Sequence, residues 1–280
     1  MAIALAIMAA ACWGLADFLA GLASRRVAVP IVLLLVEGGG LVVIVAITLA
    51  SGEPFFDNSR DVVSAVAGGL SGVLGLGFFY RALAIGTMSV VAPISAAGVA
   101  LPVVVGVVTG DRPSAIAAVG LVAVVGGVVL ASREEHETAA AAAAGKEALG
   151  LALISAVGFG GFFALTDAPA DASVLWTLVL SRSAAIPIVA AIVLLTHAAP
   201  RPSGRLALGI AAVGVVDLTA TALIAVANTK GDLSIVSVLG GMYPVATVLL
   251  AAAFLHERLR GPQLAGVVLA LGGIAAVAAG

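Results

Sequence analysis

Near its end the chain reads Gly231-Asp-Leu-Ser234-Ile-Val-Ser237, then an apolar run to Leu255, then His256-Glu257-Arg258, then a second apolar run closing on Gly272-Gly273. The same order of features occurs earlier. Gly86-Thr-Met-Ser89 opens it, Gly110-Asp111-Arg112 interrupts it, and Gly126-Gly127 closes it. Arg112 and Arg258 are 146 positions apart, as are Gly120 and Gly266, and Gly126 and Gly272. Ser89 and Ser234 are 145 apart, so one residue has slipped inside the run. Such an offset in a chain of 280 residues divides it into two copies of one unit, and a fixed internal period outranks any local reading.

Composition fixes the solvent around those copies. The chain is 62% hydrophobic and 10% charged, with a mean hydropathy of +1.24. A soluble domain carries about 25% charged residues, so this surface must face lipid. The length fits roughly ten spans of about 20 residues with short links. A β-barrel would need alternating segments of about ten residues, and these are absent. The expected class is therefore all-α: a polytopic membrane protein of ten transmembrane helices. A net charge of −2 without a basic patch gives nucleic acid nothing to bind. The single cysteine, Cys12, excludes an internal disulfide and says nothing of compartment.

Apolar length predicts helices over residues 2–22, 30–50, 61–83, 87–109, 113–131, 148–166, 172–195, 205–227, 233–255 and 262–279. The first resembles a secretory leader but lacks a positive leading region. Its Trp13-Gly14 also maps onto the internal Phe159-Gly160 at the same offset of 146. Residues 133–147, with Arg133-Glu-Glu-His-Glu-Thr138 and six alanines, read as a polar linker between a first repeat, 1–132, and a second, 148–280. Asp167-Ala-Pro-Ala-Asp171 reads as a tight turn.

Five spans per copy is an odd number, so the second copy enters the membrane from the opposite face. The two units become inverted repeats about an axis in the membrane plane. That arrangement is typical of secondary transporters, with the substrate held near mid-membrane between the copies.

Certain residues add a resemblance: Trp13-Gly14 in the first helix, Tyr80-Arg81-Ala-Leu-Ala-Ile-Gly86 at the end of the third, and the acid–arginine breaks after the fourth and ninth. With these the chain resembles the drug/metabolite transporter superfamily, in particular its EamA-type ten-helix members. The family usually writes the break Gly-Glu-Arg, and Gly110-Asp111-Arg112 and His256-Glu257-Arg258 each depart once. The resemblance implies a transporter with a central cavity lined mainly by helices 1, 3, 4, 6, 8 and 9. It leaves the substrate open, since relatives carry amino acids, amine drugs, sugars or sugar nucleotides.

Four ionisable side chains fall inside predicted spans: Asp17, Glu37, Arg182 and Asp217. Each costs roughly 2.5–3.5 kcal/mol at a helix centre on insertion scales, so each needs a partner or a function. Arg182 and Asp217 lie on helices joined by the loop at 196–204, both about 18–20 Å from it. One reading is a structural ion pair. The other offers the Arg182 fork to a substrate carboxylate. Asp17 and Glu37 both lie roughly 8–10 Å below one face on adjacent helices, where two carboxyls compete for a proton, and a carboxyl that titrates can couple transport to protons. Hydration at the interface is the plainer reading of Asp17. The glycines at 38–40 after Glu37 favour a hydrogen-bonded structural role there by admitting a neighbouring backbone.

Internal prolines at 93, 102, 187 and 244 predict kinks. Tyr243, before Pro244 near the middle of the predicted ninth helix, offers a hydroxyl to a substrate. Tyr80 and Trp13 join the candidates through the resembling motifs, and Trp176 reads as an interface anchor. The glycines of the third helix, with the Gly68-xxx-Gly72 spacing, permit close helix contact. His136, His197 and His256 make no metal spacing, and no nucleophile elbow occurs. No catalytic residue, metal or cofactor is therefore expected.

The expected function is a secondary transporter in the cell membrane, multi-pass, exporting a small amino-acid-like or amphipathic metabolite by alternating access, with proton coupling through Asp17, as a monomer or homodimer. The alternatives are an uncoupled facilitator of the same fold, and a membrane enzyme or scaffold. Loops after odd-numbered helices hold nine of the thirteen basic residues, which by the positive-inside rule puts both termini outside. The resemblance implies both inside. The second is preferred because several of the nine sit beside acids.

Overall fold

Backbone amides in lipid have no water to bond, so long apolar runs are driven into helices that satisfy themselves. The computed structural model describes residues 1–101, 114–131, 139–228, 230, 236, 239–259 and 261–279. Among these residues there are ten α-helices and no strand: α1 (Ala2–Ser24), α2 (Val29–Ser51), α3 (Ser59–Ile85), α4 (Met88–Ala96), α5 (Ala115–Ala131), α6 (Ala139–Ala172), α7 (Val174–Leu195), α8 (Gly204–Asn228), α9 (Tyr243–Phe254) and α10 (Gly261–Ala279). Seven of them, α1, α2, α3, α6, α7, α8 and α10, are long and apolar enough to cross a bilayer. Large apolar side chains point outward along them, among them Val42, Leu195 and Leu208, as a lipid-facing surface requires.

Three predicted segments differ. The turn expected at 167–171 is helix: α6 runs through Pro169 and ends at Ala172. Proline's fixed φ suits a helix and forfeits one hydrogen bond, whereas Ser173 supplies a cap, accepting from the Trp176 amide at 3.1 Å to start α7. The break falls at the cap. At its other end α6 takes in the alanines expected in the linker, since alanine has the highest helix propensity. Third, α9 begins at Tyr243, with Pro244 in its first turn. There a missing N–H forfeits nothing, so Pro244 starts a helix rather than kinking one, and Tyr243 stands at its end rather than its middle.

After Pro93, inside α4, the helix tightens to a 3-10 turn over Ala97–Ala100. The remainder of the predicted fourth helix, with Pro102, and the Gly110-Asp111-Arg112 break lie outside the described residues, as do 132–138 with Arg133 and His136, and residues 231–235 of the opening stretch.

α3 packs along α6, α5 along α10, α1 along α8, and α2 against both α7 and α8. Phe79, Leu83, Met88 and Ile94 are fully buried between them. α2 and α8 approach to backbone contact. A Cβ on Gly39 would collide with the Ala211 carbonyl, and one on Gly214 with the Val36 carbonyl. Gly38 meets nothing. This close crossing sets the position of the charged groups.

Candidate functional site

Arg182 projects from α7 into that crossing. Its Nη1 donates to Glu37 Oε2 on α2 at 3.1 Å, and its Nη2 donates to Asp217 Oδ2 on α8. The glycine at position 40 makes the room: a Cβ there would lie 2.7 Å from Nη1 and 2.9 Å from Cζ of Arg182. Arg182 and Glu37 are 8% and 6% exposed, so neither charge leans on water. Arg182 and Asp217 are thus ion-paired, with Glu37 as a third member, and protein acids hold both terminal nitrogens of the guanidinium.

Asp17 is different. It is half-buried on α1, and no hydrogen bond or ion pair reaches it from the described residues. Its expected neighbour, Glu37, has turned to Arg182. The acid within electrostatic reach of Asp17 is instead Asp217. Depth along a helix does not fix which way a side chain faces, and the guanidinium captures Glu37. Two carboxyls thus hold one guanidinium, and Asp17, beside Asp217, is paired by none of the described residues.

Tyr80, on α3, is 2% exposed and lies within electrostatic reach of Asp17, Asp217, Glu37 and Arg182. No described residue hydrogen-bonds its hydroxyl. Tyr243 lies within reach of Asp17 and meets the Trp13 ring edge-to-face, centroids 6.2 Å apart at 70°. Trp13 precedes Asp17 by four residues and so shares its face of α1. All seven candidates, Trp13, Asp17, Glu37, Tyr80, Arg182, Asp217 and Tyr243, therefore fall into one connected cluster. They come from α1, α2, α3, α7, α8 and α9, so α2 and α7 carry charge that the expected cavity helices did not include.

One residue missed by sequence reasoning is Glu257, noticed only as part of the break. Its carboxylate accepts from the amides of Met88 (3.1 Å) and Ser89 (2.9 Å) and from the Ser89 hydroxyl (2.9 Å), and it faces Arg25 at 3.6 Å. Arg25 Nε also donates to the Leu83 carbonyl at 3.4 Å. Glu257 thus caps α4 from the end of α9, where the helix dipole favours an anion. The signal available was an acid in one copy's break and a Ser at the other copy's helix start. His197 and His256 are exposed in connections, and no group of metal-ligating side chains forms among the described residues. Trp176 donates its indole N–H to the Glu53 carbonyl at 3.0 Å near the end of α7, a tether suited to an interface residue.

Both halves of the chain, residues 1–133 and residues 146–279, match the EamA-like transporter family. The chain belongs to the EamA-like transporter family. This EamA-family protein is therefore a multi-pass membrane protein, and membership implies a bilayer, a small-molecule substrate and a role that is not enzymatic. None of the curated proteins compared with it matches. Among solved structures, one described only as the crystal structure of a protein is similar to it, with a TM-score of 0.66 and 18% identity over 98% of this chain and 95% of that one. At that identity the likeness bears on the fold alone.

Proposed function

We propose that this EamA-family protein is a secondary transporter of the cell membrane that works by alternating access, its halves forming inverted five-helix repeats around the Asp17–Arg182 cluster. The observation that carries this is a pair of matching helix contacts. A Cβ on Gly14 would meet the Tyr243 carbonyl at 2.6 Å and the Ala246 Cβ at 2.5 Å. A Cβ on Gly160 would meet the Gly98 carbonyl and the Leu101 Cβ, both at 2.5 Å. Gly14 and Gly160 are 146 apart, and Gly98 and Tyr243, like Leu101 and Ala246, are 145 apart, the offset with its one-residue slip. The same reciprocity links α5 to α10: Gly120 faces the Gly273 carbonyl and Gly127 the Gly266 carbonyl. Exchange of partners under one offset is what a two-fold axis between copies produces. An odd number of spans per copy lays that axis in the membrane plane.

The cargo is a small polar or amphipathic metabolite, and the direction is export. Asp17, which no cation among the described residues pairs, is the group that exchanges a proton during the cycle. Both termini face the cytoplasm, since Arg25 pairs with Glu257 and Arg81 with Glu147 at 3.4 Å, which reduces the free positive charge on the opposite side.

Topology is tested with the two lysines, the only ones in the chain. Both Lys146 and Lys230 are exposed. In single-lysine variants, a membrane-impermeant amine reagent added to one side should modify Lys146 and Lys230 from opposite faces. Labelling from the same face removes the inverted repeat. Coupling is tested by flux in proteoliposomes under a pH gradient, where indifference to the gradient and to Asp17→Asn excludes proton exchange.

A further inference from the structure

Resting on the transporter reading above, we infer that this site takes its substrate by a cationic group, a protonated amine held by the Asp17 carboxylate beside the rings of Trp13 and Tyr243. The first ground is electrostatic vacancy. Arg182 is the cation of the cluster, and its terminal nitrogens are held by Glu37 and Asp217. A substrate carboxylate would have to displace one of them and strand a buried acid, an arrangement that is strongly disfavoured. An ammonium displaces nothing. It meets an acid that no described residue pairs.

The second ground is Tyr80. Its phenol is 2% exposed, with three carboxyls and a guanidinium in electrostatic reach. Its hydroxyl oxygen is an acceptor beside Asp17, which suits the N–H groups of an ammonium. The third ground is the pair of rings. Trp13 and Asp17 share a face of α1, and Tyr243 stands edge-on to Trp13 within reach of Asp17. Indole and phenol faces attract a cation lying within about 6 Å of the ring. Carboxylate, hydroxyl and two aromatic rings are complementary to an ammonium with an apolar body, and unsuited to an anion.

The test uses the full chain in detergent and three probes of matched shape and different charge: phenethylamine, 2-phenylethanol and 3-phenylpropionate, titrated by calorimetry. Phenethylamine should bind at least about tenfold tighter than either other probe. Asp17→Asn should abolish that preference, and Asp17→Glu should retain it. The inference is overturned if the acid or the alcohol binds as tightly as the amine, if none of the three binds, or if the preference survives in folded D17N. Should D17N fail to fold, the wild-type ranking alone decides. Flux in proteoliposomes separates this from the underlying reading. Amine binding without flux of any probe refutes transport and spares the site. Flux of 3-phenylpropionate without phenethylamine refutes the site and spares transport.

Discussion

Replacing Arg182 by glutamine tests whether the cluster is held by charge. Gln keeps a polar end but removes the cation that two acids share. Breaking a buried pair by deleting one partner costs about 3–5 kcal/mol, because the surviving charge is left unsolvated. The two acids are not equally placed. The Glu37 side chain is 8% exposed and that of Asp217 is 30% exposed, so water relieves Asp217 and most of the loss falls on Glu37. R182Q should therefore destabilise by about 3–5 kcal/mol, E37Q by less and D217N least. Combining R182Q with E37Q and D217N removes all three charges together and should restore most of the loss. The assay is reversible unfolding of the purified protein in mixed micelles as the denaturing detergent fraction rises. If R182Q unfolds within about 0.5 kcal/mol of the parent, or if the triple variant is no more stable than R182Q, the charges do not hold this crossing together.

Two further predictions concern space and capping. Gly40→Ala places a methyl 2.7 Å from Arg182 Nη1 and should cost about 1–3 kcal/mol by overpacking. Gly38→Ala, two residues earlier with nothing near it, should be neutral or stabilise by up to about 1 kcal/mol through helix propensity, and the same unfolding assay reads both. Glu257→Gln keeps acceptor oxygen but loses the charge facing Arg25 and the α4 amides, and should cost about 1 kcal/mol. Glu257→Ala leaves the Ser89 hydroxyl and two amides without that partner and should cost about 2–3 kcal/mol. Amide exchange at Met88 and Ser89 should accelerate in both, more in the alanine variant.

Fold legibility followed the physics that acts over long windows. Apolar length alone placed the axes of α1, α2, α7, α8 and α10 within a few residues of their ends, because a run of about 20 apolar residues has one way to sit in lipid. Errors came where a single residue has two meanings. Pro169 is tolerated in a helix because Ser173 offers a better place to break, and Pro244 opens α9 because the preceding residues turn. Three consecutive glycines at 38–40 step by about 100° each around the helix, so one backbone neighbour can use only part of the set. Gly39 and Gly40 face α8 and Arg182, while Gly38 faces open space.

Legibility at the site depended on whether depth arithmetic had a short loop to start from. Arg182 and Asp217 count down from one hairpin, so their meeting could be worked out in advance. Glu37 counts from a different loop, and its bond to Arg182 spans 145 positions. Yet 145 is the repeat's own offset in its slipped form, the one relating Ser89 to Ser234 and Gly98 to Tyr243. With the halves related by a two-fold axis, as proposed, a residue can touch its own counterpart only near that axis. Glu37 and Arg182 are such counterparts on corresponding helices, opposite in charge and in hydrogen-bond contact. The signal was present in the offset as a charge reversal between copies at a single equivalent position. The reversal also explains why this position can hold a pair where two identical residues would repel. It places the buried charge on the line about which the halves would exchange shapes.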